Sequence, residues 1–186
     1  EVTFDMQAAA ISEHEDRIII DKDEEKYLPV SAIYGPNGGG KSNVLAALHT
    51  LVAKVLRPLF ATEDSEEKVL LQKKIIVEPF VFSESKDEPT EFELFFRTTV
   101  SEYRYILHVE RDLVLYESLD RVKLETGRKS ALFTRDENGI VLKGAFAKLK
   151  VSDELSKTLT LLSYLGIAYK GNAVVKDVLS WFEYGI

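Results

Sequence analysis

The chain has 186 residues, 45% of them hydrophobic and 30% charged, which suits one globular domain with a real core or one lobe of a larger protein. It contains no cysteine, so disulfides and thiolate metal sites are excluded, and no signal peptide or apolar run of membrane-spanning length is expected. The net charge of −7 is unevenly spread: residues 1–30 hold nine acids against three bases, and residues 121–150 hold eight bases against three acids. A cytoplasmic protein with no membrane partner is the natural expectation. The basic stretch can mark a contact with nucleic acid or an acidic protein, but no aromatic stacking pattern is interleaved with it and it reads first as a solvated face.

Taken in chain order, strands are expected near 2–8 and over Arg17 to Ile20. Leu28 to Tyr34 (Leu-Pro-Val-Ser-Ala-Ile-Tyr) has the composition of a buried parallel strand, with Pro29 confined to its start. Gly35-Pro36-Asn37-Gly38-Gly39-Gly40-Lys41-Ser42 then fits G-x-x-x-x-G-K-[ST], the loop that wraps nucleotide phosphates. Glycines lack Cβ, so the backbone can adopt positive φ and turn its N–H groups around an anion. Lys41 supplies an ammonium for the β- and γ-phosphates, and Ser42 a hydroxyl for the Mg²⁺ that bridges them. After the loop, Val44, Leu45, Leu48, Leu51, Val52 and Val55 recur at helical spacing, and Pro58 is expected to stop that helix. Its N-terminus would direct free N–H groups and the positive dipole end at the phosphates. A nucleoside triphosphate with Mg²⁺ is the expected ligand.

Thr62 to Lys74 is charged and reads as helix or loop. From Ile75 to about Leu142 the apolar period becomes two: Phe92, Leu94 and Phe96 alternate with Glu93, Phe95 and Arg97, and Tyr103, Tyr105, Leu107 and Val109 with Arg104, Ile106, His108 and Glu110. Turn signals at 85–89, 99–102 and 137–139 leave only short connections, which require antiparallel pairing. Helical period returns after Gly144, with helices expected near 152–163 and 173–184. The organisation is therefore a strand–loop–helix nucleotide-binding core over 1–60, an antiparallel β-subdomain over 61–144, and a helical segment over 145–186. Both ends read as cut rather than finished, so a fragment is expected.

Hydrolysis needs an acid that holds Mg²⁺ and a group that orients water. No run of four apolar residues followed by Asp-Asp or Asp-Glu occurs. Leu113-Val114-Leu115-Tyr116-Glu117 comes closest, and it reads as an antiparallel strand ending at Glu117 rather than as a metal ligand. Leu162-Ser163-Tyr164-Leu165-Gly166 reads as core helix with a glycine end. His14, His49 and His108 show no metal spacing. Catalytic residues are not identifiable, and the chain alone is expected to bind nucleotide without turning it over.

Gly-Pro-Asn-Gly-Gly-Gly-Lys-Ser-Asn followed by Val-Leu-Ala-Ala-Leu resembles the ATPase heads of SMC and RecF-like ABC-type proteins, most closely the bacterial AAA-family ATP-binding proteins of phage defence and abortive infection. Glu1 to Met6, Glu78-Pro79-Phe80, Tyr103-Arg104-Tyr105, Glu117-Ser118-Leu119, Leu132-Phe133-Thr134-Arg135 and Trp181-Phe182 support the likeness at the level of pattern. The resemblance implies an α/β P-loop NTPase fold: the N-terminal lobe of an ABC-type ATPase head, with an antiparallel β-subdomain and C-terminal helices. It implies a later lobe with the signature loop and catalytic acids, and homodimers in which two heads sandwich ATP. It places Gly35, Pro36, Asn37, Gly38, Gly39 and Gly40 around phosphates, Lys41 on β/γ oxygens, Ser42 on Mg²⁺ and Asn43 near the α-phosphate. The family's Gln after the P-loop helix has no match, since Gln72 precedes its strand. A non-catalytic nucleotide-binding module and a self-contained P-loop kinase or GTPase are the alternatives.

Overall fold

The computed structural model describes residues 3–9, 15–20, 24–60, 75–77, 88–152 and 155–185. The expectations for Thr62 to Lys74, for Glu78-Pro79-Phe80, for His14 and for most of the 85–89 turn lie outside them. The chain divides into two compact units, Glu1–Leu48 and His49–Ile186.

In the smaller unit, β1 (Ile19–Ile20) pairs antiparallel with β2 (Lys26–Tyr27), preceded by one turn of 3-10 helix over Glu15–Arg17. The expected first strand is reduced to one bridge, Gln7 to Tyr27, braced by Ala8 N donating to Lys26 O and Leu28 N to Met6 O, both at 2.8 Å. Leu28 to Tyr34 does not form the expected strand. A strand exists only through a ladder, and among the described residues no ladder forms along this run. Its apolar side chains lie exposed, Val30 at 77% and Tyr34 at 90%.

Helix α1 (Lys41–Phe60) crosses from the smaller unit into the larger. It does not stop at Pro58 as expected but runs through it. Proline removes the amide that would donate to Lys54 O, and the Ser163 hydroxyl reaches this turn from outside, 3.3 Å from that carbonyl and donating to the neighbouring Val55 O at 2.7 Å. At 20 residues and mean hydropathy 1.2, α1 is long and apolar enough to cross a membrane by composition, contrary to the expectation that no such segment exists. Its apolar residues Leu51 and Val55 belong to the core of the larger unit.

That unit is built on a five-stranded antiparallel meander in sequence order: β3 (Thr90–Arg97), β4 (Ser101–Glu110), β5 (Leu113–Lys123), β6 (Lys129–Asp136) and β7 (Gly139–Leu142). The alternation read from sequence is what buries one face: Tyr103, Tyr105, Leu107 and Val109 point inward from β4. Two bulges shift the register: the extra residue is Leu115 on β5, opposite the step from His108 to Val109 on β4, and Leu132 on β6, opposite the step from Leu119 to Asp120 on β5. Helices α2 (Leu161–Ala168) and α3 (Ala173–Tyr184) complete the core with Leu161, Leu162, Leu165, Val175, Val178 and Phe182. Phe96 stacks on Tyr103 at 5.2 Å between centroids and meets Trp181 at 4.6 Å, which joins β3 to α3. The helix expected at 173–184 forms there, capped by Asn172. The one expected at 152–163 does not: helix begins only at Leu161, after turns over 157–159.

Glu117 explains that start. It is not at the end of its strand but in the middle of β5, fully buried, directly across from Arg135 on β6. Its carboxylate accepts from Leu161 N at 2.5 Å, Leu162 N at 2.9 Å and the Tyr105 hydroxyl at 2.9 Å. The Thr160 side chain accepts from Ser163 N, so the first three amides of α2 are all satisfied. The Arg135 guanidinium, 4.0 Å from Glu117, donates to Leu159 O and Ser156 O at 2.6 and 3.0 Å, holding 156–159 as turns. Burial pushes the Glu117 carboxyl up, against the pull of the two α2 amides, Tyr105 and Arg135.

Replacing Glu117 by Ala orphans two buried amides and deprives Arg135 of its facing carboxylate, and should cost about 2–4 kcal/mol in denaturant unfolding. Glu117→Gln, which keeps an acceptor oxygen, should cost less; equal losses would mean that the carboxylate does not cap α2. A second prediction concerns alkali. Burial raises both Tyr103 and Tyr105, reinforced by the carboxylates of Asp177 and Glu117 to which they are hydrogen-bonded. Folded values above the unfolded value mean that their contribution is fully present below about pH 10 and lost as pH rises further. Phenolate absorbance should therefore appear in two steps, the second coinciding with loss of circular dichroism. A single step with the fold intact would contradict this burial.

Candidate functional site

The phosphate-loop sequence folds as a glycine turn that feeds directly into α1. Gly38 and Gly40 adopt φ of +78° and +79°, the left-handed region that costs a residue with Cβ roughly 1–2 kcal/mol. A Cβ on Gly39 would approach Pro36 O to 3.0 Å. The backbone path thus favours glycine at 38 and 40 and leaves little room for a side chain at 39. Gly39 N donates to Pro36 O at 3.1 Å and Asn43 N to Gly40 O at 2.9 Å, closing the turn and starting the helix.

Lys41 is the first residue of α1, and its side chain folds back over the loop, donating from Nζ to Gly35 O at 2.8 Å and Pro36 O at 2.7 Å. Both acceptors are neutral carbonyls on an exposed loop, partners that a phosphate oxygen can replace with a stronger, charge-assisted bond. Ser42 and Asn43 are exposed in the first turn of α1, where helix N–H groups and the dipole favour an anion. All nine residues from Gly35 to Asn43 thus come together as one continuous element. This arrangement fits a triphosphate chelated to a divalent cation: bare glycine backbone over 38–40, a reachable ammonium and a hydroxyl at the helix start.

Other candidates fall elsewhere. Glu117, the acid nearest in pattern to a second Mg²⁺ contact, spends both oxygens on the amides of α2 in the larger unit. His108 lies 3.7 Å from Glu91 and against the Tyr116 ring at 4.9 Å, and no group of three metal-binding side chains occurs among the described residues. Of the eight bases over 121–150, Arg135 is buried and Arg121 donates to Ser101, whereas Lys123, Arg128, Lys129, Lys143, Lys148 and Lys150 are exposed. Gly166 does not end α2 but lies inside it, where a Cβ would come within 2.5 Å of Leu59 and 2.7 Å of Leu179. Sequence reading passes over Ser163 and the α2 cap. The available signal is Thr160 three residues before Ser163, a spacing that suits a helix N-cap.

No curated protein and no solved structure matches the chain significantly. Residues 30–172, which take in the glycine loop, α1, the meander and α2, match the family described as "AAA domain, putative AbiEii toxin, Type IV TA system". The chain belongs to this family of P-loop, nucleotide-binding ATPase-type domains.

Proposed function

We propose that the chain is the nucleotide-binding lobe of an ABC-type, SMC/RecF-like ATPase in which ATP-dependent pairing of two heads, and hydrolysis, gate an effector or nucleic-acid activity of the anti-phage kind. The observation that carries the reading is the loop geometry: positive φ at Gly38 and Gly40 immediately before a helix that opens on Lys41-Ser42. The backbone of Gly35 to Gly40 would surround the phosphates, with N–H donors from the residues other than Pro36, which has none. Lys41 would exchange the carbonyls of Gly35 and Pro36 for β/γ oxygens, Ser42 would hold Mg²⁺, and Asn43 would stand by the α-phosphate. The bound Mg²⁺-ATP supplies the phosphoanhydride and the cation that neutralises it.

Two observations support the ABC-type form over a kinase or GTPase. The element after α1 is a five-stranded antiparallel meander rather than a series of β-α units. The apolar run 28–34 is exposed and has the composition of a buried strand, which suits a sheet completed by a further lobe. A second reading, binding without hydrolysis, is favoured by Glu117. With that carboxylate committed to α2, the water-orienting and second Mg²⁺ groups would come from outside the described residues.

Calorimetric titration of Mg²⁺-ATP into the wild type and a folded Lys41→Ala variant tests the site. A charged hydrogen-bonding contact is worth roughly 1.5–3 kcal/mol, so the variant should bind about 10- to 150-fold more weakly. Equal affinity would remove Lys41 from the phosphate site, and with it the reading.

A further inference from the structure

We propose that Ser163 is a positioning residue for the phosphate-binding helix, its hydroxyl standing in for the amide proton that Pro58 lacks. The role rests on the nucleotide-binding reading of the loop. In a regular helix the amide at position 58 donates to the carbonyl at 54. Proline carries no N–H, and its ring crowds that carbonyl, so the turn at 54–58 of α1 has a gap in its ladder. Ser163 enters this gap from α2, donating to Val55 O at 2.7 Å and lying 3.3 Å from Lys54 O.

The proton can be followed. A carbonyl only accepts, so the single Ser163 proton goes to α1. The 2.5 Å contact between Ser163 Oγ and Thr160 Oγ1 then has Thr160 as donor. Thr160 also accepts from Ser163 N, and Glu117 holds the amides of Leu161 and Leu162. Ser163 is therefore fixed before it meets α1. Thr160 and Ser163 are both fully buried, so water does not compete for the carbonyls. One turn away Gly166 lets Leu59 approach to where a Cβ would stand, and Lys54 Nζ donates to Asp112 O at 2.9 Å. These contacts grip the second half of a helix whose first residues are Lys41 and Ser42. Because α1 is continuous, restraint of its last turns reduces the freedom that its first turn must give up when it closes on phosphate.

The test is a double-mutant cycle with Ser163→Ala and Pro58→Ala, read by Mg²⁺-ATP affinity and by Tm. Pro58→Ala returns the missing amide, so the serine should matter only when proline is present. With Pro58 in place, Ser163→Ala should weaken Mg²⁺-ATP about 2- to 10-fold and lower Tm; in the Pro58→Ala background its effect on affinity should be less than about 2-fold. A double variant that folds where Ser163→Ala alone does not would show the same coupling. Equal effects in the two backgrounds would overturn the substitution of hydroxyl for amide. Coupling in Tm with ATP affinity unmoved would leave a purely structural contact and overturn the positioning role. If wild type and Lys41→Ala alike bind no ATP, the nucleotide reading fails and the positioning role with it, while Tm still decides whether the Ser163–Pro58 coupling exists.

Discussion

A carboxylate withdrawn from water must find donors for its oxygens, and in the larger unit that requirement falls on Glu117 at the centre of β5. The donors it finds are the first two amides of α2 and the hydroxyl of Tyr105, with Arg135 facing it across the ladder. This one side chain therefore decides where α2 begins and which end of it meets the sheet. Arg135 fixes the approach by holding the carbonyls of Ser156 and Leu159. With α2 placed, Ser163 and Gly166 face the second half of α1, and α3 closes over Phe96 and Tyr105 with Trp181 and Phe182. The meander is thus more than a platform: through Glu117 it sets the seat of the last turns of α1.

The glycine loop obeys a different constraint. Its backbone is held in conformations that side chains resist, at Gly38 and Gly40, and is crowded at Gly39, while the loop itself is exposed. Little in the loop's own packing rewards that arrangement, which is the expected state of affairs where function rather than stability dictates the conformation. The larger unit shows the opposite balance, with its polar groups drawn into hydrogen bonds that define one packing. The conformationally costly loop and the closely bonded core thus belong to separate parts of the chain.

Much of this is legible in the sequence, for local reasons. The glycine loop before α1 declares itself because the backbone takes positive φ at Gly38 and Gly40. The meander declares itself because one buried face imposes a period of two, clearest in Tyr103, Tyr105, Leu107 and Val109. The helix at 173–184 needs only its apolar stripe and the Asn172 cap. The misreadings have non-local causes. Glu117 reads as a strand end because the extra residue at Leu115 interrupts the alternation of β5 just before it. The start of α2 reads too early because the Arg135 grip on Ser156 and Leu159 is invisible to a periodic pattern. Pro58 reads as a stop because the group that compensates for it lies far along the chain, on Ser163. The run 28–34 has strand composition, but composition cannot supply the neighbouring strand that a ladder needs.

Amide hydrogen exchange with and without Mg²⁺-ATP tests most directly whether the glycine loop is a phosphate cradle at the head of α1. The account predicts slowed exchange over residues 35–43 on addition of Mg²⁺-ATP, because those N–H groups become donors to phosphate, and no such change in the Lys41→Ala variant at the same nucleotide concentration. Unchanged exchange across 35–43 in the wild type at saturating Mg²⁺-ATP would contradict it.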